Sequence, residues 1–313
     1  VAGVRKIAKQ VEPLPERLNF VLKRQLIKSH AAGLTAPGTK SRKKRLLFFA
    51  PWRGRTIAGT CYRPHSGPAG SMKVSADDVS VFLEDLNRAY PVAGLQRSDI
   101  AVIHAGLQPA EAGAGEPEPA RHYRIIDHSA ADGIDGLLTV VGVKYTTARD
   151  VAAKAVDIAL SKLGRPASGQ EPVSIHRRLP GGDISDFDCF FSGTLHAAGA
   201  ALGEEHVRRL VVNYGTECRA LLDLCRADAS LGRLPGGHPD IIGAEVAHAV
   251  RSEMAQTLSD VVFRRTDLCS AGMPDEATLR ACADLAAREA GWDTRRRDAE
   301  IAQTLAIAGQ PGH

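Results

Sequence analysis

The chain has 313 residues, of which 44% are hydrophobic and 24% are charged, and its formal net charge is +4 at pH 7. This composition is typical of a globular protein with about two domains, and it excludes fibrous and intrinsically disordered classes. The mild positive charge favours small anionic ligands or membrane head groups and argues against dedicated nucleic-acid binding. The six cysteines form no C-x-x-C pair, so the sequence predicts neither a zinc site nor a disulfide framework.

No apolar run approaches the roughly eighteen residues that a membrane-spanning helix needs, and the N-terminus lacks a signal-peptide core. The sequence therefore predicts a protein that does not cross a membrane, and the cysteine pattern favours a reducing compartment. The first residue is Val1 rather than a methionine, which indicates a processed chain or the remainder of a longer one.

The first third of the chain predicts strands and one helix. A Pro-Gly turn and a basic run precede the apolar stretch LLFFAPW, which indicates a hairpin, and RTIAGTCY predicts the next strand. The basic run, from Lys40 to Arg45, is typical of a solvated loop, with binding of phosphate or lipid head groups as the alternative. SADDVSVFLEDLNRAY predicts a helix, because Ser75 can cap it and its apolar residues recur at helical spacing.

Three strands are predicted in the next part of the chain. DIAVIHAGLQP indicates a buried strand that ends in a turn at Gln108 and Pro109, and residues 110–120 form a loop rich in Gly, Pro, Glu and Ala. HYRIIDH and GLLTVVGV predict the other two strands, the second of which leads into a long helix.

The turn between that last strand and its helix, VGVKYTTARD, carries polar chemistry at a helix N-terminus. It lacks the glycine spacing of a P-loop and of a Rossmann fingerprint. Lys144, Thr146 and Thr147 can still direct an ammonium group and two hydroxyls at one anionic or polar ligand. The alternative is that Thr146 or Thr147 only caps the helix.

Beyond Gly164 a Pro- and Gly-rich linker is followed by sequence that predicts helices with short connections. One inward-facing helical stripe is predicted in DIIGAEVAHAVRSEMAQTLSDVVFRR, where apolar residues recur at steps of three and four from Ile242 to Val261. Glu245, His248 and Glu253 lie in the same stretch but lack metal-ligand spacing, so no metal site is predicted.

Several segments, in order along the chain, resemble the FAD-dependent glycerol-3-phosphate dehydrogenases. VGVKYTTARDVA resembles their G-G-K-x-T-T-x-R segment, GLQP their G-x-R-P turn, and ARHYRIIDH their R-D-x-x-x-x-x-H strand. PWRGRTIAGT resembles a strand pair of the family, and LPGG, NYGTE and AVRSEMAQTLSDVVFRRT resemble its C-terminal helical domain. The likeness is to the C-terminal portion, because the family's glycine-rich FAD fingerprint lies upstream of everything in this sequence.

The resemblance implies an α+β protein with three regions. Residues 1–105 are expected to form a substrate-cap region of mixed sheet and helix. Residues 106–163 are expected to be the strand-helix return segment of an FAD-binding domain, and residues 164–313 an α-helical C-terminal domain.

The resemblance also implies roles for particular residues. Arg121 matches an arginine that would clamp the substrate phosphate, which a planar guanidinium does bidentately. Lys144 would lie near flavin and substrate and stabilise the developing alkoxide. Gly142, Thr146 and Thr147 would contact the flavin, together with Lys144.

Two further positions concern the substrate side of the resemblance. His30, in LIKSH, matches a family histidine and is expected to act as a base, with a structural role as the alternative. Gln108 stands at the substrate site where the family has an arginine. A lost charged hydrogen bond of about 1.5–3 kcal/mol would lower substrate affinity roughly ten- to a hundredfold. Val143 replaces the family's second glycine.

The implied activity is oxidation of sn-glycerol 3-phosphate to dihydroxyacetone phosphate, with electrons passed from FAD to quinone. The FAD domain is expected in cis or as a separate chain, because without its fingerprint this chain should bind FAD poorly. The alternatives are a non-catalytic or truncated relic or interaction subunit, and a flavin oxidoreductase for another small hydroxy or amino compound. A cytoplasmic location is expected, with peripheral attachment to the inner membrane surface as an option.

Overall fold

The computed structural model describes residues 14–38, 44–65, 67–68, 72–111, 118–142, 144–165, 172–199, 202–233 and 241–308. A β-sheet covered by one helix comes first, and a group of α-helices forms the second half of the chain. The α+β class expected from the sequence is therefore confirmed.

The main sheet has five strands in the order β2-β3-β4-β1-β5. They are β1 (Glu16–Leu22), β2 (Ala32–Pro37), β3 (Lys44–Trp52), β4 (Arg55–Arg63) and β5 (Ile100–Leu107). The predicted hairpin is β2-β3, and RTIAGTCY is β4, so both predictions are confirmed. Every described pair of neighbours is antiparallel, so the sheet expected to be mixed is an antiparallel one. Hairpin connections between β2, β3 and β4 impose that direction.

Helix α1 (Ala76–Ala89) covers the apolar face of this sheet. It begins as predicted, with Ser75 and Asp78 forming a reciprocal capping box. Its buried side chains meet the inward-facing residues of β1, and the rings of Phe20 and Phe82 have centroids 4.5 Å apart. The opposite face of the sheet is not covered by α1, and it carries polar side chains.

Two short strand pairs follow β5. The first pairs β6 (Ala110–Glu111) with β7 (Glu118–Pro119), and the second pairs β8 (Arg124–Asp127) with β9 (Leu138–Val141). The two strands predicted in HYRIIDH and GLLTVVGV are thus confirmed. A short helix that was not predicted, α2 (His128–Asp132), lies between β8 and β9. Helix α3 (Ala148–Lys162) follows β9, as expected.

His128 ties this hairpin together. Its ring is fully buried, with Nδ1 2.6 Å from Asp132 Oδ2 and Nε2 2.8 Å from Thr139 Oγ1. The histidine therefore links α2 to β9 through hydrogen bonds within the protein.

The second half of the chain is helical around one apolar core. Its helices are α4 (Phe187–Ala198), α5 (Glu204–Tyr214), α6 (Cys218–Ala227), α7 (Gly243–Ser252), α8 (Leu258–Asp260), α9 (Glu276–Ala290) and α10 (Thr294–Ala308), with a π-helical turn at Val261–Arg265.

The single stripe predicted from Ile242 to Val261 is wrong at its centre. Helix α7 ends at Ser252, and Met254 has a left-handed φ of 60° and a 79% exposed side chain. The helix restarts at Thr257, whose hydroxyl accepts a hydrogen bond from the Asp260 N–H in a second capping box. The cap at Thr257 therefore starts a new helix at a point where the apolar periodicity predicts a continuous one.

Hydrogen bonds join the sheet to the helical part. Trp52 Nε1 donates to the Ser270 carbonyl at 2.5 Å, and Arg53 at the β3-β4 turn pairs with Asp267 at 2.7 Å. These contacts bring the loop around Ser270 against the sheet. None of the helices in the described ranges is long and apolar enough to cross a membrane.

Candidate functional site

A cavity of about 890 Å³ lies between the sheet and the β9-α3 unit. Strands β1 and β5 and the turn after β5 contribute one side of its lining. The other side comes from β9, the turn around Lys144, and α3. A cavity of this size, open to solvent and lined by apolar and a few polar groups, is typical of a small-molecule or cofactor site.

The polar side of the cavity is a consequence of strand alternation. Arg17 and Asn19 point to the sheet face opposite the apolar residues of β1, and His104, Gly106 and Gln108 follow the same alternation along β5 and into its turn. In the register, Asn19 pairs with His104 and Arg17 pairs with Gly106. The side chains of Arg17, Asn19 and His104, together with Gln108 in the turn after β5, therefore form the polar floor of the cavity.

Three buried polar atoms on this floor have no hydrogen-bond partner in the part of the chain that the structure describes. They are Arg17 Nε, His104 Nε2 and Gln108 Oε1. An unsatisfied buried polar atom costs about 1–3 kcal/mol, and native proteins keep few of them. Three around one cavity indicate a place where a bound polar molecule completes the hydrogen bonding.

Gly106 leaves space in the middle of this polar floor. A Cβ atom built on Gly106 meets nothing within 4 Å, and the residue does not adopt a left-handed φ. Any larger residue would project into the cavity at this point. The glycine therefore leaves space that a ligand can occupy and that no protein side chain fills.

The floor residues are held in place by neighbours. The Arg17 guanidinium lies 5.4 Å from the centroid of the Tyr62 ring, and Asn19 Oδ1 accepts a hydrogen bond from Thr60 Oγ1 at 2.9 Å. His104 hydrogen bonds to the backbone of Ser270, and burial lowers its pKa below the usual histidine value. The cavity therefore holds a cation and a neutral imidazole in fixed positions.

The opposite wall begins at the end of β9. Gly142 and Lys144 line the cavity, followed by Tyr145 in a short 3₁₀ turn (Tyr145–Thr147). Thr147 makes no side-chain capping bond, and its hydroxyl instead donates to the Lys144 carbonyl at 3.2 Å. The interpretation of Thr147 as a helix cap is therefore wrong, because its hydroxyl is used within the turn.

The structure brings together three of the residues predicted from the sequence: Gln108, Gly142 and Lys144 all line the cavity. The remaining four are exposed and are not among its lining residues: Arg121, His30, Thr146 and Thr147. His30 lies between β1 and β2, with Nδ1 2.9 Å from Ser29 Oγ. The roles assigned to all seven stay predictions.

Arg17, Asn19, His104 and Gly106 are lining residues that were not predicted. The signal for them was present, since polar and apolar residues alternate in ERLNFVL at the start of β1. Alternation identifies a face but not what covers it, and only the register places Asn19 beside His104.

The other charged residues singled out by the sequence lie in ordinary ion pairs or on the surface. Arg45, the last residue of the basic run, lies 3.6 Å from Asp85, Lys44 is exposed, and residues 40–43 lie outside the described ranges, as does Val143. Glu245 is buried against Arg209 at 3.3 Å and Tyr214 at 3.3 Å. No group of His, Cys, Asp and Glu in the described ranges is arranged to hold a metal ion.

Comparison with known proteins identifies the class of fold. The structure superposes on glycerol-3-phosphate dehydrogenase from Bacillus halodurans, solved as a complex with FAD, with a TM-score of 0.74 and 20% identity. The match covers 95% of this chain and 57% of that one. The fold is therefore that of part of an FAD-containing dehydrogenase.

Sequence comparison finds one matching family domain and several similar proteins. Residues 174–297 match the family described as the C-terminal domain of alpha-glycerophosphate oxidase. A glycerol-3-phosphate dehydrogenase of Synechocystis sp. is 31% identical over 71% of this chain and 40% of its own length. A mitochondrial one of Arabidopsis thaliana is 28% identical over 86% of this chain and 43% of its own length. The chain is a relative of the glycerol-3-phosphate dehydrogenases that spans less than half of the length of these two and includes the C-terminal domain.

Proposed function

We propose that the chain is the substrate-side, C-terminal part of an FAD-dependent enzyme that oxidises sn-glycerol 3-phosphate to dihydroxyacetone phosphate and passes the electrons to quinone. The names of the relatives support this activity. Because the chain spans less than half of their length, the proposal assigns most of the FAD-binding domain to a segment in cis or to a partner chain.

The observation that carries the proposal is the polar floor facing Lys144 across one open cavity. Arg17 and Lys144 supply two positive charges for an anionic substrate, and His104 and Gln108 supply neutral groups for its hydroxyls. A phosphorylated polyol matches this combination because it carries a strongly anionic group and several hydroxyls.

The wall on the α3 side fits the edge of a flavin ring. A Cβ on Gly142 meets nothing within 4 Å, so a planar group can approach the backbone there. Helix α3 presents small apolar residues to the cavity, including Ala148, Ala152 and Ala155. Lys144 and the N-terminus of α3 favour negative charge at the same edge. When bound, the flavin supplies the two-electron chemistry of the reaction.

The predicted site residues take the following roles in this proposal. Lys144 stabilises the alkoxide that develops as hydride leaves the substrate carbon, and Gln108 hydrogen bonds to the substrate. Gly142, Thr146 and Thr147 contact the flavin edge. Arg121 as phosphate clamp rests on the family resemblance alone. His30 as base is an alternative that rests on the same resemblance, and neither residue is among the lining residues of the cavity.

Reconstitution with an FAD domain tests the proposal. The chain would be co-expressed with the FAD-domain segment of the Synechocystis relative, and the complex would be purified through a tag on this chain. We expect a yellow complex that reduces an artificial dye when glycerol 3-phosphate is added. A yellow complex without dye reduction would contradict the activity, and a colourless complex would favour a non-catalytic relic or interaction subunit.

A second candidate function is a flavin oxidoreductase for another small hydroxy or amino compound. Gln108 favours it, because a neutral amide lines the cavity where the family resemblance predicts an arginine. Gln108→Arg separates the two functions. A fall of roughly tenfold or more in KM for glycerol 3-phosphate supports the proposed substrate, and no change supports a different one.

Two further parts of the proposal, quinone as the electron acceptor and a cytoplasmic location, are supported by the family resemblance alone. A cytoplasmic protein attached peripherally to a membrane would pass electrons directly to membrane quinone. Flotation of the complex with anionic and neutral vesicles tests the attachment, and equal recovery with both would contradict a role for the basic run that ends at Lys44 and Arg45.

A further inference from the structure

The floor of the cavity contains a histidine that the family resemblance leaves without a role. His104 lies near the middle of β5, beside Asn19 of β1 in the sheet register. It lines the cavity, its Nε2 atom is buried, and that atom has no hydrogen-bond partner among the described residues. One ring nitrogen is therefore unused in a place where a ligand can reach the side chain.

The surroundings of His104 fix both the position and the form of its ring. The backbone of Ser270, from the loop between the π-helical turn and α9, forms a hydrogen bond with the imidazole. Burial lowers the pKa of His104 and so favours the neutral ring. A neutral imidazole with a free nitrogen is a proton acceptor.

Gly106 leaves open space in the cavity close to His104 along the strand. It lies two residues from His104 on the same face of β5, and open space stands where its Cβ would be. On the opposite wall Lys144 can stabilise an oxyanion. An alcohol bound above Gly106 would therefore lie between a proton acceptor and a cation.

We propose that His104 is the base that accepts the hydroxyl proton when the substrate alcohol is oxidised, an inference that rests on the proposed function. The C–H bond breaks and its electron pair leaves as hydride to the oxidised flavin. The O–H proton moves to His104 Nε2, and the carbonyl double bond forms. The imidazolium then releases the proton to solvent. The alcohol loses two electrons and two protons, and the flavin gains the hydride.

His30 is the competing base and provides the control. It is exposed in the connection between β1 and β2, its Nδ1 is 2.9 Å from Ser29 Oγ, and it is not among the lining residues of the cavity. His104→Gln and His30→Gln change the same functional group at the two positions, so their comparison separates a base in the cavity from one in the loop.

The first test is binding, measured on the full chain without a flavin. The ring signals of the histidines are followed by NMR while glycerol 3-phosphate is added, and the His104 signal is the one missing in His104→Gln. We expect that signal to shift and saturate, with the same saturation in His30→Gln. An unmoved His104 signal would overturn the inference.

The second test is turnover by the reconstituted complex. His104→Gln should lower kcat by about 10²- to 10⁴-fold, the usual contribution of a general base, and His30→Gln should lower it far less. An equal effect of both variants, or none from His104→Gln, would overturn the inference while leaving the proposed activity standing. A wild-type complex that binds glycerol 3-phosphate at His104 but never reduces dye would instead contradict the proposed activity.

The pH profile gives a readout that a structural role would not move. Among the described lining residues, Arg17, Lys144 and Tyr145 are the other charged or titratable groups. Wild-type kcat should fall on acidification as the imidazole is protonated. In His104→Gln, kcat should not show this fall at low pH. A substrate phosphate, with a pKa near 6, would titrate equally in both. An identical fall of kcat at low pH in the wild type and in His104→Gln would overturn the inference.

Discussion

Gly106→Val should improve the stability of the fold while removing ligand binding. Gly106 lies in β5, between residues whose polar atoms have no described partner, and a Cβ built on it meets nothing within 4 Å. Valine suits a strand, and its two methyl groups would project into the cavity. Because the Cβ meets no neighbouring atom, we expect the variant to fill the proposed site while keeping the fold.

The two effects have different sizes and opposite signs. Glycine in a strand interior is destabilising by about 0.5–1 kcal/mol, so the variant should gain about that much free energy of unfolding. That gain corresponds to a rise of about 1–4 °C in Tm. A ligand that loses one charged hydrogen bond to the floor loses about 1.5–3 kcal/mol, so the affinity for glycerol 3-phosphate should fall at least roughly tenfold to a hundredfold.

Calorimetric titration with glycerol 3-phosphate and thermal denaturation measure these effects on the same protein. Gly106→Ala should give a smaller loss of binding than Gly106→Val. Gly193→Ala in α4 is the matched control, because a Cβ there also meets nothing within 4 Å and the residue lies outside this cavity. Gly106→Val that is stable and binds as tightly as wild type would refute the assignment of the cavity.

Three predictions concern the stability of the fold away from the cavity. Burial raises the pKa of Glu245 from 4.5 to about 7, so the free energy of unfolding should fall by up to roughly 3 kcal/mol as pH rises from about 4.5 to 7. Denaturant titrations across this range should show that slope, and Glu245→Gln should lack it. Ser75→Ala removes the cap of α1 and should cost about 1 kcal/mol, with a cost below about 0.3 kcal/mol counting against the capping box. Gly215→Ala should cost at least about 2 kcal/mol, because φ is +54° and the Cβ would lie 1.9 Å from the Gly181 oxygen. Near-native stability of this variant would show that the two glycines do not pack so closely.

Local signals predicted most of the elements. The Ser75 capping box, the β2-β3 hairpin and the two strands around α2 each depend on residues close together in sequence. The break at Met254 could not be predicted from the apolar stripe, because the cap at Thr257 competes with that periodicity and the outcome depends on tertiary packing.

The lining of the cavity was predicted only in part, for a physical reason. Gln108, Gly142 and Lys144 were found because they belong to short segments with recognisable chemistry. Arg17 and His104 are far apart in sequence and are joined only by the pairing of β1 with β5, with Ser270 of the helical part fixing the imidazole. Long-range register of this kind is not visible in any one segment.

Anaerobic reduction of the flavin is the most direct measurement of the central claim, that this cavity holds the substrate against a flavin edge. The reconstituted complex would be mixed with glycerol 3-phosphate in a stopped-flow spectrometer while the visible flavin absorbance is followed. The account predicts rapid bleaching in the wild type and in Gly193→Ala, and bleaching slowed by at least tenfold in Gly106→Val at the same substrate concentration. Bleaching at the wild-type rate in Gly106→Val would place the reaction elsewhere in the protein.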